Sequence, residues 1–221
     1  MIVDERIIAY INSLATELTP ELINLEKEAL EHHVPIIKKE TQGILKFLLR
    51  TQQPKRILEV GTAIGFSALF MSEYTNSDSK ITTIEKVPMR LVEAEKNLSN
   101  EVYKHKDKIT LIKGEALEIL KGLVHEKEEY DFIFLDAAKA QYMSFLPELM
   151  KLLSKRGMLV TDNVLQDGTV INSRYSITRR NRTIHSRMRE FLYTISHMEE
   201  LETIILPVGD GIAVSYRIKH S

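Results

Sequence analysis

The sequence contains no cysteine, which excludes disulfide scaffolds, thiolate metal sites and cysteine nucleophiles. It also lacks any apolar run near the ~18 residues of a membrane-spanning helix, and charged residues interrupt its first ten positions, where a secretory signal would be apolar. Thirty Lys and Arg against 31 Asp and Glu give a formal net charge of -1, which excludes a generally basic nucleic-acid-binding coat. We therefore expect a cytoplasmic protein with neither a membrane nor a DNA partner.

The length of 221 residues suits one domain with a substantial hydrophobic core. No internal repeat and no linker rich in Pro, Gly or Ser divides the chain. The first part has helical periodicity, and Thr19 followed by Pro20 is typical of a helix start. We expect a single domain over 1–221, in which a helical N-terminal part (1–52) precedes an alternating core (53–221).

From residue 56 onward, short apolar runs alternate with helical segments, which indicates consecutive βαβ units and a parallel sheet. The runs predicted as strands are Arg56–Val60, Ile81–Ile84, Ile109–Ile112, Tyr130–Leu135 and Met158–Thr161. The helical segments between them are Phe66–Tyr74, Pro88–Tyr103, Glu115–Leu123 and Gln141–Leu153. A further helix, Ile184–Met198, precedes two more runs, Glu202–Pro207 and Ile212–Arg217, which a glycine-containing turn joins as a hairpin. The prediction is an α/β protein whose seven-stranded sheet is mostly parallel with one antiparallel strand.

The turn after the first predicted strand is typical of nucleoside binding. Gly61 and Gly65 let the backbone lie close to a ligand, and the next helix begins with free N–H groups. Glu85 lies 24 residues beyond Gly61, where a carboxylate can accept both hydroxyls of a ribose; the alternative is a structural turn with an unrelated surface acid. The Gly-x-x-x-Gly spacing lacks the pattern suited to a pyrophosphate and favours S-adenosylmethionine over NAD. Glu59 is either a partner for a ligand ammonium group or a surface carboxylate.

Oxygen-bearing side chains follow the fourth and fifth predicted strands. Asp136 comes directly after the fourth strand, and Asp162 with Asn163 comes after the fifth. Because the carboxyl ends of neighbouring parallel strands share one crevice, we expect these side chains to converge. Two carboxylates and an amide oxygen suit a hard divalent cation such as Mg2+, although a single Asp at a strand end is often only a helix N-cap.

Lys139 lies three residues after Asp136, so its amine can reach the same crevice. A nearby dication disfavours the charged form of lysine, and neutral lysine is a competent general base. The alternative is a solvated lysine at a helix start, where its charge is unfavourable against the helix dipole. We predict Asp136 and Lys139 as the catalytic residues.

Together these motifs resemble those of the metal-dependent class I O-methyltransferases of the caffeoyl-CoA and catechol type. The resemblance covers nearly the whole chain, including Gly114-Glu115-Ala116 and the Gly209-Asp210-Gly211 turn. It implies a Rossmann-like sheet with helices on both faces, extra N-terminal helices, homodimers, and S-adenosylmethionine and Mg2+ as cofactors. The implied roles are methionyl contacts for Glu59, Gly61, Thr62 and Ser67, a ribose contact for Glu85, an adenine contact for Ala116, metal ligation by Asp136, Asp162 and Asn163, and proton abstraction by Lys139.

Between Gly168 and Arg189 the chain carries six arginines, half of its total, and no acidic residue. A solvated helix face is one interpretation of such a run, but an anion-facing rim near the metal site is the interpretation that we favour. Residues 172–183 resemble the bacterial branch of the family that methylates 5-hydroxyuridine in tRNA. The candidate RNA contacts are Arg174, Arg179, Arg180 and Arg182.

The resemblance to this branch implies conversion of 5-hydroxyuridine to 5-methoxyuridine at the wobble position of a tRNA anticodon loop. Methylation of small catechol-like or phenolic metabolites is the alternative with the same chemistry. A nucleotide-binding dehydrogenase is disfavoured, because the glycine spacing does not suit a pyrophosphate and hydride transfer does not need the metal ligands.

Overall fold

The structure, a computed structural model, describes residues 3–173 and 175–218, and the elements below are those within these ranges. The helices are α1 (Glu5–Ser13), α2 (Pro20–Glu31), α3 (Lys39–Gln52), α4 (Phe66–Glu73), α5 (Pro88–Ser99), α6 (Ala116–His125), α7 (Tyr142–Leu152) and α8 (Arg182–His197). The strands are β1 (Arg56–Val60), β2 (Lys80–Glu85), β3 (Ile109–Lys113), β4 (Tyr130–Leu135), β5 (Leu153–Thr161), β6 (Leu201–Leu206) and β7 (Ile212–Arg217). None of these helices is long and apolar enough to cross a membrane.

The seven strands form one sheet in the order β3-β2-β1-β4-β5-β7-β6. The pairs from β3 to β5 are parallel, whereas β7 runs antiparallel to both β5 and β6. The predicted mostly parallel sheet with one antiparallel strand is therefore confirmed. Strand order reverses between β1 and β4, and in open sheets of this kind a ligand crevice forms there, beyond the carboxyl ends of the strands.

Helices cover both faces of the sheet and bury a separate apolar core on each. One core joins the sheet to α6, α7 and α8 through Leu120, Leu123, Phe145, Leu149, Phe191 and Ile195. The other joins it to α2, α3 and α4 through Leu22, Leu25, Leu45, Leu49, Phe66 and Phe70. The N-terminal helices α2 and α3 are thus part of the core on one face, while α1 buries none of its residues.

Two predicted boundaries are wrong by four or five residues, each for a local reason. Helix α5 ends at Ser99 and does not reach Tyr103, because Asn100 adopts an extended conformation with ψ 124°. Strand β5 begins at Leu153, five residues before the predicted Met158, because its first residue already pairs with β4 ahead of a register shift. Neither difference moves the carboxyl ends of the strands, where the candidate site residues lie.

Candidate active site

A cavity of about 710 Å³ lies at the carboxyl ends of the central strands. Its volume falls within the ~300–1,000 Å³ of typical small-molecule sites. The predicted residues that line it are Gly61, Thr62, Ser67, Glu85, Ala116, Asp136, Lys139, Asp162 and Asn163. The structure therefore brings together residues that span a hundred positions of the sequence.

The turn after β1 packs directly against the turn after β4. Gly61 has φ +110°, and its N–H donates to the carbonyl of Ile84 at 3.0 Å. A Cβ atom at Gly61 would lie 1.9 Å from the backbone oxygen of Asp136. Only glycine fits this contact, because any other residue would both strain the backbone and overlap the neighbouring turn.

Glu85 connects the end of β2 to the turn after β1. Its Oε2 accepts from the N–H of Ala63 at 2.9 Å, and its Oε1 accepts from the N–H groups of Lys86 at 2.8 Å and Val87 at 2.9 Å. The side chain is 6% exposed and lines the cavity. The alternative of an unrelated surface acid is therefore wrong, and the carboxylate is held in one orientation by three backbone donors.

Glu59 lies behind the cavity wall and is fully buried. Its Oε2 accepts from the Thr83 hydroxyl, which in turn is hydrogen-bonded to the Thr62 hydroxyl, whereas its Oε1 has no hydrogen-bond partner among the described residues. Burial raises the pKa of Glu59 to about 7, although the neighbouring Ser67 and Thr83 hydroxyls act to lower it. The interpretation as a surface carboxylate is wrong, and a contact with a ligand ammonium group stays a prediction.

Asp136, Asp162 and Asn163 meet at one side of the cavity, as expected from their positions after β4 and β5. The N–H of Asn163 donates to Asp162 Oδ1 at 2.7 Å, and its side-chain amide lies 3.5 Å from Asp136 Oδ1. Burial raises the pKa of Asp136 to about 6 and that of Asp162 to about 7, where the charge of Asp136 adds to the increase. Ionising both carboxylates is unfavourable without a cation beside them.

This group of oxygen donors fits a hard divalent cation. Nitrogen and sulfur ligands are missing from the group, and Mg2+ is bound by carboxylate, amide and water oxygens. Within 3–173 and 175–218, no cluster of three or more histidine, aspartate or glutamate side chains has metal-binding geometry. A cation here would therefore depend on two carboxylates and the Asn163 amide, with water or a ligand completing its coordination.

Lys139 begins a short 3-10 turn ahead of α7 and lines the same cavity. Its positive charge lowers the pKa of both Asp136 and Asp162, which places the amine within electrostatic reach of the two carboxylates. The start of α7, directly after this turn, is bonded to the end of β5, because the Tyr142 hydroxyl donates to the backbone oxygen of Asp162 at 3.2 Å. The amine is thus available beside the two acids.

The opposite side of the cavity is formed by an N-terminal segment that the sequence analysis did not predict to be part of the site. Residues 34–38 and Thr41 line it, and Lys38 Nζ lies 2.6 Å from Asp210 Oδ1 and 3.7 Å from Asp167 Oδ1. These ion pairs hold the N-terminal segment to the loop after β5, through Asp167, and to the turn between β6 and β7, through Asp210. The Gly-Asp-Gly pattern of that turn was the available signal for Asp210, whereas Lys38 had none.

The arginine-rich segment lies outside the cavity lining. Arg179 and Arg180 are exposed, and Arg182 donates to the carbonyl of Ile177 at 3.1 Å. Arg174 lies outside the described residues. None of the segment's described arginines lines the cavity, so they flank the site and do not form its wall.

One arginine of α8 links this segment to the active site. Arg187 donates to the carbonyl of Ala140 at 2.8 Å, in the 3-10 turn that carries Lys139. The arginine-rich helix therefore packs directly behind the predicted general base.

Comparison with known proteins agrees with this geometry. The O-methyltransferase family profile matches residues 12–218. A caffeoyl-CoA O-methyltransferase from Stellaria longipes is 29% identical over 185 residues, covering 79% of this chain and 73% of the relative. A catechol O-methyltransferase from Niastella koreensis is 30% identical over 166 residues, covering 74% of each.

Among solved structures, the SAH-bound methyltransferase PaMTH1 from Podospora anserina superposes with a TM-score of 0.83 at 26% identity, covering 98% of this chain and 95% of that one. SAH, S-adenosylhomocysteine, is what remains of S-adenosylmethionine after methyl transfer. The chain thus belongs to the class I O-methyltransferase family that includes these caffeoyl-CoA and catechol enzymes, and it is an S-adenosylmethionine-dependent O-methyltransferase.

Proposed function

We propose that this enzyme methylates one hydroxyl of a ring that carries two adjacent oxygen atoms, and that its acceptor is 5-hydroxyuridine in a tRNA anticodon loop. The product is 5-methoxyuridine at the wobble position. The observation that carries the proposal is the convergence of Asp136, Asp162, Asn163 and Lys139 in the cavity that also contains the cofactor-binding turn.

The cofactor is bound along the β1 and β2 ends of the cavity. Glu85 accepts the ribose hydroxyls, since its carboxylate already faces the cavity and charge-assisted hydrogen bonds are strong. The methionyl part lies over Gly61 and Thr62, next to Ser67, and Ala116 contacts the adenine. Glu59 lies behind this turn, where its charge stabilises the cofactor's ammonium group.

Asp136, Asp162 and Asn163 are the residues that would hold a divalent cation, Mg2+ by preference. Such a cation would supply Lewis-acid stabilisation of negative charge on the acceptor oxygen. Lys139 takes the proton from the acceptor hydroxyl, and the oxygen then attacks the sulfonium methyl group, with S-adenosylhomocysteine as the leaving group. One cavity holds both substrates in this proposal, which permits a direct, in-line transfer of the methyl group.

The ring of 5-hydroxyuridine fits these requirements. Its 5-hydroxyl and 4-carbonyl are adjacent oxygens, as in a catechol, and an unstacked base in a single-stranded loop can enter a pocket. The arginine-rich segment supports an RNA acceptor, because guanidinium groups bind phosphates bidentately and no acidic residue occurs from Gly168 to Arg189. The RNA contacts in this proposal are Arg174, Arg179, Arg180 and Arg182.

A small catechol-like or phenolic metabolite is the second candidate acceptor. It is favoured by the names of the relatives, which are caffeoyl-CoA and catechol enzymes, and by the position of the arginines outside the cavity lining.

The proposal includes a homodimer. Helix α1 has no buried residue, and its Ile7, Tyr10 and Ile11, together with Leu14 directly after it, are between 52% and 67% exposed. A contiguous exposed apolar face of this kind is typical of a protein–protein contact. We expect equilibrium sedimentation to show a dimer for the wild type and a weakened dimer for an Ile11→Glu variant. A monomeric wild type would contradict the dimer.

The acceptor is tested with purified enzyme, labelled S-adenosylmethionine and MgCl2. The acceptors to compare are tRNA that carries 5-hydroxyuridine, the same tRNA with plain uridine at that position, and a catechol. We expect 5-methoxyuridine in the first tRNA alone, with a higher kcat/KM than for the catechol and with loss of activity in excess chelator. Methylation of the catechol without methylation of either tRNA would establish the second candidate.

A further inference from the structure

A second groove lies between residues 171–173 and helix α8, and it shares no lining residue with the active-site cavity. It is open, spans about 620 Å³, and is lined by Ile171, Asn172, Ser173, His185, Ser186 and Arg189. Every lining side chain except Ile171 carries a hydrogen-bond donor, and none is acidic. This composition suits an anion.

Two of the lining side chains are held in place within the fold. Arg189 Nη1 donates to the carbonyl of Val170 at 3.0 Å, so its guanidinium is oriented while its remaining N–H donors are available. His185 is 3% exposed, and both of its ring nitrogens lack a hydrogen-bond partner among the described residues. Buried polar atoms are seldom left unsatisfied in native proteins, so a missing partner at this groove indicates a ligand or an ion.

The surroundings of the groove indicate which anion it takes. Tyr175 is 90% exposed, and its backbone N–H donates to the Ser173 hydroxyl at 3.4 Å, so an exposed aromatic residue is bonded to a lining residue of the groove. The exposed Arg179 and Arg180 follow closely in the chain. Anion donors beside an exposed aromatic ring are the combination with which proteins bind single-stranded nucleic acid, where the backbone is neutralised and a base stacks.

We propose that this groove binds a backbone phosphate of the RNA strand that carries the acceptor nucleoside. The inference rests on the proposed tRNA acceptor and adds the position of one phosphate contact. Helix α8 connects this groove to the chemistry, because Arg187 on the same helix is bonded to Ala140 beside Lys139. A phosphate held on α8 would thereby fix the strand relative to the general base.

The test adds one negative charge to the groove. Ser186 is a half-buried lining residue, whereas Ser196 is an exposed residue of the same helix outside the groove. Ser186→Asp and Ser196→Asp therefore change the net charge equally and differ only in where the carboxylate lies. Calorimetric titration with S-adenosylhomocysteine checks that both variants retain a folded cofactor site.

Fluorescence anisotropy then measures binding of a labelled anticodon stem-loop with plain uridine at the wobble position, so that no methyl transfer is involved. We expect Ser186→Asp to weaken binding on the order of tenfold. The slope of log affinity against log salt concentration should also become shallower, by about one phosphate contact. Ser196→Asp should stay within about twofold of the wild type. Equal affinities of the two variants would overturn the proposal.

Titration with inorganic phosphate separates this inference from the proposed acceptor. NMR of the His185 ring should show saturable shifts in the wild type and in Ser196→Asp, but not in Ser186→Asp. If phosphate binds in this way and the wild type does not bind RNA, the anion site stands and the RNA strand is the wrong ligand. If phosphate produces no shift, the groove is not an anion site, whatever the enzyme methylates.

Discussion

The carboxyl edge of the sheet and the arginine-rich segment carry their charges in opposite ways. At the sheet edge, Glu59 and Asp162 are buried, and burial raises their pKa values to about 7. In the segment, Arg179 and Arg180 are exposed. Burying a carboxylate costs folding free energy, so buried carboxylates are typical of sites whose chemistry needs them. Exposed arginines cost little folding free energy. Under the proposed function, reaction type is determined at the sheet edge and acceptor class at the segment.

The largest effect is expected at the sheet edge, from Asp136→Ala. Removing one carboxylate from a set of only two should lower metal-dependent turnover by about 10² to 10³, since metal catalysis supplies several kcal/mol. Initial rates across a Mg2+ series measure this effect. The control is Asp78→Ala, at an exposed aspartate, which should keep wild-type rates. Wild-type activity of Asp136→Ala, or full activity in excess chelator, would remove the metal from the proposal.

A second expected effect distinguishes cofactor binding from acceptor binding. Glu85→Ala removes the ribose acceptor, at about 1.5–3 kcal/mol for each charge-assisted hydrogen bond lost, so S-adenosylhomocysteine affinity should fall by more than tenfold in calorimetry. Glu93→Ala, at an exposed position of α5, is the matched control. If both variants bind the cofactor equally well, Glu85 has only the structural role of joining two turns.

The pH dependence of stability tests whether the buried charge is costly. The pKa of Glu59 is about 7 in the folded protein, against the usual 4.5. Its contribution to stability is therefore present below about pH 4.5 and is lost as pH rises through 7, by about 3 kcal/mol at most. Relative to the wild type, Glu59→Gln should gain thermal stability between pH 5 and 8, whereas exposed Glu93→Gln should not. A difference that does not change with pH would show that Glu59 is not protonated in the folded protein.

The smallest effect is expected in the arginine-rich segment. Replacing Arg179, Arg180 and Arg182 with Ala should lower turnover on tRNA several-fold, make its salt dependence shallower, and leave cofactor affinity within about twofold. Since Arg182 also bonds to Ile177, the Arg179 and Arg180 double variant should reproduce most of the loss.

The control for the arginine variants removes two exposed lysines elsewhere, Lys104 and Lys155. Equal rates on tRNA for the arginine and lysine variants across a salt series would mean that the segment is only a solvated surface.

What the sequence predicted well was encoded locally. The short apolar run Arg56–Val60 and the glycines after it determine a strand and a turn from neighbouring residues alone. The topology of a parallel sheet then brings Asp136 and Asp162 to the same edge. The two misplaced boundaries arose where an extended residue ended a helix and where a register shift lengthened a strand. Neither leaves a periodic signal.

The cavity side formed by the N-terminal segment could not be predicted, because its key contact is not local. Lys38 and Asp210 are 172 positions apart, and their ion pair depends on the packing of two helices against the sheet. The burial of Glu59 could not be predicted either, because the sequence pattern around a glutamate at a strand end is the same whether the side chain faces solvent or the core. The arginines at 182, 187 and 189 look like free surface charge in the sequence, although each bonds to a backbone carbonyl.

The contact at Gly61 has a consequence for how such an enzyme changes its acceptor during evolution. The turn after β1 and the turn after β4, which carries Asp136, touch through backbone atoms. Their separation therefore does not depend on the side chains around them. A Cβ at 1.9 Å from the Asp136 oxygen would have to retreat by more than 1 Å to reach even a tight contact of 3.0 Å. A misplacement of about 1 Å between reacting groups can lower the rate on the order of a hundredfold. Mutations can therefore exchange one acceptor for another around the cavity while the distance that the methyl group travels stays the same.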